Sequence, residues 1–372
     1  MPNLNKIDPL FYNGVRIQDV GKPIKCLVWT SNGFNIDNGN SQIIAKYPFI
    51  NAFGLNTTHK QIFDLSEQQE VCYISSAQRV CLYMQNVHKI VKTPLPNNFG
   101  VDGSGVTVAI IDTGCKPHLD LVLGKNRIIK FVDFVNGKTF AYDDNGHGTF
   151  VSGVLCGKGV CSNGCCRGVA PNCNIIVLKA LNSDGETQVF TILDAMQWII
   201  DHKKQFNIKV VCMSFGSEPV LRYDPLAIGA EALWDNGIVV VCASGNDGPE
   251  KNSVKSPAIS PKVLSVGSCT TDNQQNKSEF CSYGIYQGII KPEVFAPGEN
   301  IVSLDAFNGF YTSMSGTSVS TPIVAGVAAL MLQKQPQLSP NEIKRILISQ
   351  SSLNVSKQNL IINAQNAINY LL

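Results

Sequence analysis

Four short runs dominate what this chain can become: Val106–Asp112, Asn174–Leu181, Ile208–Met213 and Gly237–Ala243. Each is apolar and β-branched at nearly every position rather than at every second one, as expected of strands buried on both faces. Between them lie stretches with helical spacing: 147–155, 187–205 (Val189, Ile192, Leu193, Met196, Ile200) and 226–236. Strand, turn, helix, repeated from about Gly103, predicts a doubly wound α/β fold with a parallel sheet covered on both faces. The run Ile323–Met331 predicts a further, wholly buried helix, with Pro322 in its first turn. Ser339-Pro-Asn-Glu342 is a capping box opening another through about Ile348.

The first 99 residues differ. Ile24–Thr30, Gln42–Lys46, Val71–Ile74 and Val80–Met84 read as strands, and Thr58-His-Lys-Gln61 is a capping box before a short helix holding Ile62, Phe63 and Leu65. This predicts a small α+β module of the ferredoxin-like kind, closed by a polar, Pro-broken linker, Lys92–Gly100. The expected organisation is therefore residues 1–99 as one domain with its linker and 100–372 as the other.

The 372 residues are 44% hydrophobic and carry a formal net charge of +2, which gives no reason to expect nucleic acid or an acidic membrane surface as partner. No apolar run has the length of a membrane span, and the N-terminus shows no basic region followed by an apolar stretch. Thirteen cysteines in a chain of this length do not suit a secreted disulfide scaffold. Several, such as Cys212 and Cys242, lie inside core strands, so most are read as reduced thiols of a cytoplasmic protein.

In a doubly wound sheet, functional groups gather past the carboxyl ends of the strands. Asp112 ends the first strand; His147 sits in Asp143-Asp-Asn-Gly-His-Gly-Thr149; Asn246 lies in Ala243-Ser-Gly-Asn-Asp-Gly248; Ser318 opens the buried helix in Gly316-Thr-Ser-Val-Ser-Thr-Pro322. Each alone has a plain structural reading, as turn acid, helix-start histidine, turn asparagine or N-cap. Together they supply acid, base, donor and nucleophile. The order is Asp, His, Ser, with gaps of 35 and 171 residues, the order of subtilisin.

Asp112-Thr-Gly, His147-Gly-Thr and Gly316-Thr-Ser-Val-Ser-Thr-Pro322 resemble the three signature boxes of subtilisin-like serine proteases. The resemblance runs from about Gly100 to the C-terminus and includes Arg167-Gly-Val-Ala-Pro171 and Ala296-Pro-Gly298. Phe131–Gly137, Tyr142–Gly146 and Asp235–Val241 are similar to the intracellular AprX-like branch of bacteria. The resemblance implies a serine endopeptidase with Asp112, His147 and Ser318 as triad and Asn246 in the oxyanion hole. It also implies that Ser183-Asp184-Gly185 and Ser214-Phe215-Gly216 flank an extended peptide substrate. Ser214–Gly216 and Ala243-Ser244-Gly245 would wall a neutral P1 pocket with broad preference for apolar side chains. Residues 1–99 more weakly resemble the family's inhibitory propeptides. That implies a zymogen whose N-terminal domain inhibits its own enzyme, with autoprocessing between about Met84 and Gly100.

No cofactor is expected. A family-type calcium site finds no support in Gly148–Leu181, which has no Asp or Glu and carries Cys156, Cys161, Cys165, Cys166 and Cys173 instead. The cysteine spacing is a poor match to a zinc site, and no metal is assigned. Cys115, three residues past Asp112, suggests thiol-sensitive activity. His118 is read as structural, and His59, His88 and His202 as ordinary surface or core residues. Ile323 stands where relatives commonly carry His. A catalytically silent subtilase-fold binding protein is disfavoured by the complete residue set, and an esterase by the chain order.

Overall fold

The computed structural model describes residues 3–8, 23–31, 36, 39, 41–76, 84–93, 100–220, 223–356 and 358–372. The chain divides into two compact units, Met1–Cys81 with Phe307–Tyr311, and Leu82–Ala306 with Thr312–Leu372.

In the first unit, strands β1 (Ile24–Thr30), β2 (Gln42–Tyr47), β3 (Ala52–Thr57) and β4 (Val71–Ser76) form an antiparallel sheet in the order β2-β3-β1-β4, with helix α1 (His59–Glu67) between β3 and β4 in sequence. Along β1, Ile24, Cys26 and Val28 point inward with period two and join Leu55, Ile62, Leu65, Val71 and Ile74 in the core. The capping box is formed: Thr58 N donates to Gln61 Oε1 at 2.8 Å, and the Thr58 hydroxyl accepts from Gln61 N. Strand β3 has no clear alternating pattern, since Gly54 and Asn56 interrupt it. The expected strand Val80–Met84 falls mostly on residues 77–83, outside the described residues, and Met84 itself sits in a turn.

The second unit opens with a helix that sequence reasoning missed, α2 (Gln85–Val91), in which Val87 and Val91 are fully buried. Then follow β5 (Thr107–Asp112), β6 (Ile128–Asp133), α3 (His147–Cys156), β7 (Asn174–Lys179), α4 (Val189–His202), β8 (Ile208–Met213), α5 (Pro225–Asp235), β9 (Val239–Ala243), β10 (Leu264–Cys269), β11 (Val294–Pro297), α6 (Thr317–Lys334), α7 (Pro340–Ser349), β12 (Ser352–Leu353) and β13 (Leu360–Ile361). They make a nine-stranded sheet ordered β12-β13-β11-β10-β9-β8-β5-β7-β6, parallel except for β12 against β13.

Register decides what meets past the strand ends. Asp112 pairs with Lys179, Ile111 with Met213, and Met213 with Cys242. The loops after β5, β7, β8 and β9 therefore leave the sheet side by side. Helix α6 is buried on almost every face and packs against α3, β8, β9 and β10. It begins at Thr317, so Pro322 lies in its second turn rather than its first, and the Ser318 carbonyl loses its usual partner four residues on.

His88, on α2, is half-buried and neutral. Its Nε2 donates to the Arg167 carbonyl at 2.7 Å, and its Nδ1 accepts from the Thr93 hydroxyl at 2.5 Å. Burial lowers its pKa to about 4, the Arg167 charge adding to this against the carbonyl bond. Because the unfolded chain takes up the proton first, stability should fall as pH drops from roughly 6.5 toward 4, by on the order of 3 kcal/mol in all. Denaturant titrations at pH 7 and 4.5 should show a steeper loss in the parent chain than in His88→Gln, both carrying Ser318→Ala to prevent digestion.

Candidate active site

Asp112 is 1% exposed at the end of β5. Its Oδ1 accepts from Thr113 N at 2.7 Å and pairs with His147 Nδ1 at 2.8 Å. His147 is the first residue of α3, and its side chain remains 27% exposed. Burial disfavours the imidazolium, but the Asp112 charge and hydrogen bond, with Asp143 further off, outweigh it, so the His147 pKa lies above the ordinary value.

The loop that presents His147 is fastened by residues the sequence reading passed over. Asp143 Oδ1 accepts from Thr113 Oγ1 (2.9 Å), Gly146 N (2.8 Å) and Asn145 N (3.1 Å), while its Oδ2 accepts from Thr149 N (2.8 Å) and Thr149 Oγ1 (2.6 Å). Thr113 Oγ1 in turn accepts from Gly148 N at 2.9 Å. One buried carboxylate thus ties the end of β5 to the first turn of α3. Lys179, also fully buried, donates to Thr113 O (2.6 Å), Leu181 O (2.9 Å) and Asp144 Oδ1 (2.6 Å). A charge inside an otherwise apolar strand was the available signal for Lys179: such a group is retained only where its donors are satisfied.

On the other side, Asn246 is oriented by its neighbours. Its Oδ1 accepts from Thr317 N at 2.9 Å and Thr317 Oγ1 at 3.0 Å, which leaves Nδ2 as the free-facing end of the amide. A side-chain carbon at Gly316 would stand 3.1 Å from Ser318 Oγ and 3.4 Å from Asn246 Nδ2. The missing side chain leaves open the space between hydroxyl and amide, where a carbonyl oxygen would have to lie. Ser318 is in the first turn of α6, whose amides lack partners within the helix. Packing of α3 on α6 brings the two halves together.

Ser183–Gly185 and Ser214–Gly216 follow β7 and β8, on either side of β5, and Asn145 Nδ2 donates to Ser183 O at 2.9 Å. Ser214, Ala243 and Ser244 are buried, while Gly216 is exposed.

The remaining candidates are structural in their contacts. His118 caps a short helical turn, Leu119–Val122, its Nδ1 accepting from Asp120 N at 3.1 Å. His202 stacks on Trp198 at 4.1 Å between ring centroids. Cys115 is fully buried, and burial pushes its pKa to about 12. That is the opposite of an exposed, ionised, reactive thiol, so the thiol sensitivity expected of it loses its physical basis. Cys156 and Cys173 are both fully buried. Among the described residues no group of three or more His, Cys, Asp or Glu is placed to hold a metal ion. No helix among them is long and apolar enough to cross a membrane.

Residues 103–367 match the sequence profile of the subtilase family, Peptidase S8. This chain belongs to the subtilase family. It is 37% identical over 339 residues to the serine protease AprX of Bacillus subtilis, covering 82% of this chain and 75% of AprX. It is 35% identical over 253 residues to subtilisin DY of Bacillus licheniformis, covering 67% and 85% of the two. Among solved structures, a cold-adapted subtilisin-like serine proteinase superposes with a TM-score of 0.63 at 29% identity, over 76% of this subtilase and 98% of that chain. The α/β fold with its mostly parallel sheet is the subtilisin-like fold, and the chain falls among the subtilisin-like serine proteases, a class of hydrolases.

Proposed function

We propose that this subtilase is a serine endopeptidase in which Ser318 is the nucleophile, His147 the general base and Asp112 the group that orients and charges the base. The observation that carries this reading is the 2.8 Å bond from the buried Asp112 carboxylate to His147 Nδ1. It leaves Nε2 as the basic nitrogen and favours the imidazolium that forms when the Ser318 proton is taken. Ser318 Oγ then attacks the peptide carbonyl. The developing oxyanion is received by Asn246 Nδ2 and the Ser318 N–H, both pre-aimed and costing little reorganisation. Collapse expels the amine, protonated by His147, and water attacks the acyl-enzyme by the same route.

Ser183–Gly185 and Ser214–Gly216, lying either side of β5, suit a peptide bound as an added strand. Residues 214–216 and 243–245 carry no charge of their own, and taken by themselves would suit apolar P1 side chains. Residues 1–99 are proposed as an intramolecular inhibitor and folding template removed by self-cleavage between about Met84 and Gly100. The similarity to AprX supports relating this region to a subtilase, since a match covering 82% of the chain must begin ahead of residue 103. Helix α2 belongs to the compact unit that holds the site, so a cut ahead of Gln85 would keep it with the enzyme and a cut after Thr93 would detach it. A cytoplasmic location is proposed on the chemistry of thiols such as Cys212 and Cys242, buried and with pKa values raised by burial.

Intact mass of the purified chain, before and after incubation with a fluorophosphonate, tests activity and processing together. The reading expects one covalent adduct on a chain that has lost an N-terminal fragment ending between residues 84 and 100. An unlabelled chain under conditions where it stays folded would overturn the protease assignment; a labelled chain of full length would overturn the zymogen alone.

A further inference from the structure

The wall expected to be neutral contains a cation. Lys255 N donates to Ser244 O at 2.9 Å, while Ser256 and Ser217 exchange backbone bonds of 2.9 and 3.0 Å. The segment carrying Lys255 is thus laced between the two proposed P1 walls. A side-chain carbon added at Gly216 would come within 2.6 Å of Lys255 Cβ, and one at Gly245 within 2.7 Å of its Cγ. The lysine stem therefore fills the space that these two glycines leave. Its ammonium pairs with Glu218 and Asp247. The Lys255 side chain is 15% exposed, against 83% for Glu218 and 55% for Asp247. Burial works against the charge, but the bonds to Asp247 and Glu218 raise the pKa above that of an ordinary lysine, so the cation persists at neutral pH.

We propose that Lys255 sets the P1 specificity of this subtilase, making acidic side chains, glutamate above all, the favoured P1 residues and excluding large aromatic ones. This rests on the protease reading and on walls 214–216 and 243–245 bounding the P1 pocket. The stem occupies volume that an aromatic ring would need. An exposed carboxylate such as Glu218 gains little from its pair, because water solvates it nearly as well. A P1 carboxylate that extends along the stem can take Glu218's place on the ammonium and release Glu218 to solvent, whereas a P1 lysine or arginine brings its charge against Lys255. The selectivity is electrostatic and partly exposed, so it should weaken with salt.

The test is kcat/KM for a peptide series differing only at P1 (Glu, Leu, Phe, Lys) at low and high ionic strength, with fluorophosphonate labelling as the measure of an intact site. Wild type should cut the Glu peptide at least tenfold faster than the Phe peptide. Lys255→Met, which keeps the stem and removes the charge, should lower the Glu-to-Leu ratio at least tenfold. Lys255→Gly should raise the Phe-to-Leu ratio by a similar factor. Glu218→Gln, which removes the competing carboxylate at an exposed position, should raise the Glu-to-Leu ratio and covers the case in which a Lys255 variant folds poorly. A labelled enzyme whose Glu-to-Leu ratio is the same in wild type, Lys255→Met and Glu218→Gln overturns the inference and leaves the protease reading standing. A folded wild type that neither labels nor cuts any peptide of the series overturns both.

Discussion

Ser318→Ala should abolish peptide hydrolysis and fluorophosphonate labelling and leave the chain at full length. The change removes the nucleophile while the Asn246 amide, held by Thr317, stays in place. Some transition-state binding therefore survives, and the loss is large but finite. In subtilisin itself, removing the nucleophile costs about 10⁶-fold in kcat, and a loss on that scale is expected here. Folding should be little affected, because Ser318 Oγ faces the opening beside Gly316 and not the packed side of α6. Denaturing gels of wild type beside Ser318→Ala separate two outcomes. A trimmed wild type with an intact variant supports self-cleavage. Two chains of equal full length make residues 1–99 a permanent domain.

Asp112→Asn should cost about 10⁴-fold in kcat, the scale known for the same change in another serine protease triad. The structure supplies the reason. Oδ1 is an acceptor for both Thr113 N and His147 Nδ1, and buried Oδ2 has no hydrogen-bond partner among the described residues. An asparagine that keeps its oxygen at the Oδ1 position buries an NH₂ group with nothing to accept from it. The flipped amide instead offers a donor to His147 Nδ1, which selects the tautomer whose Nε2 carries the proton and cannot act as base. Either way the carboxylate charge that raises the His147 pKa is gone, so the acid limb of the residual pH–rate profile should move to lower pH. A variant with a wild-type rate and an unmoved limb would refute the role given to Asp112.

The catalytic-domain fold was legible because its strands are buried on both faces. Val106–Asp112 and Gly237–Ala243 show as apolar runs whatever surrounds them, and the helices between show a 3.6-residue period. Elements with weak patterns were lost. Strand β3 holds Gly54 and Asn56. Helix α2 is seven residues long and presents its buried pair, Val87 and Val91, within a polar sequence. The apolar run begins after Pro322 and so points to a first-turn proline, yet the helix starts at Thr317, where Gly316 and Asn246 organise the backbone.

The sequence by itself determined the chemistry on offer: an acid, a base, a donor and a nucleophile in glycine-rich turns, in the order of one family, with the strands that would carry them. It did so because those signals are local, set by neighbours within a few residues. Only the tertiary structure decided which other charges share the site. Asp143 reaches Thr113 across 30 residues, Lys179 reaches Thr113 across 66, and Lys255 reaches Glu218 across 37. Whether such a group is buried, paired or exposed depends on the register of parallel strands and the crossing of loops beyond them. Composition shows a lysine; packing makes it a brace under the triad at 179 and a charged wall of the proposed P1 pocket at 255.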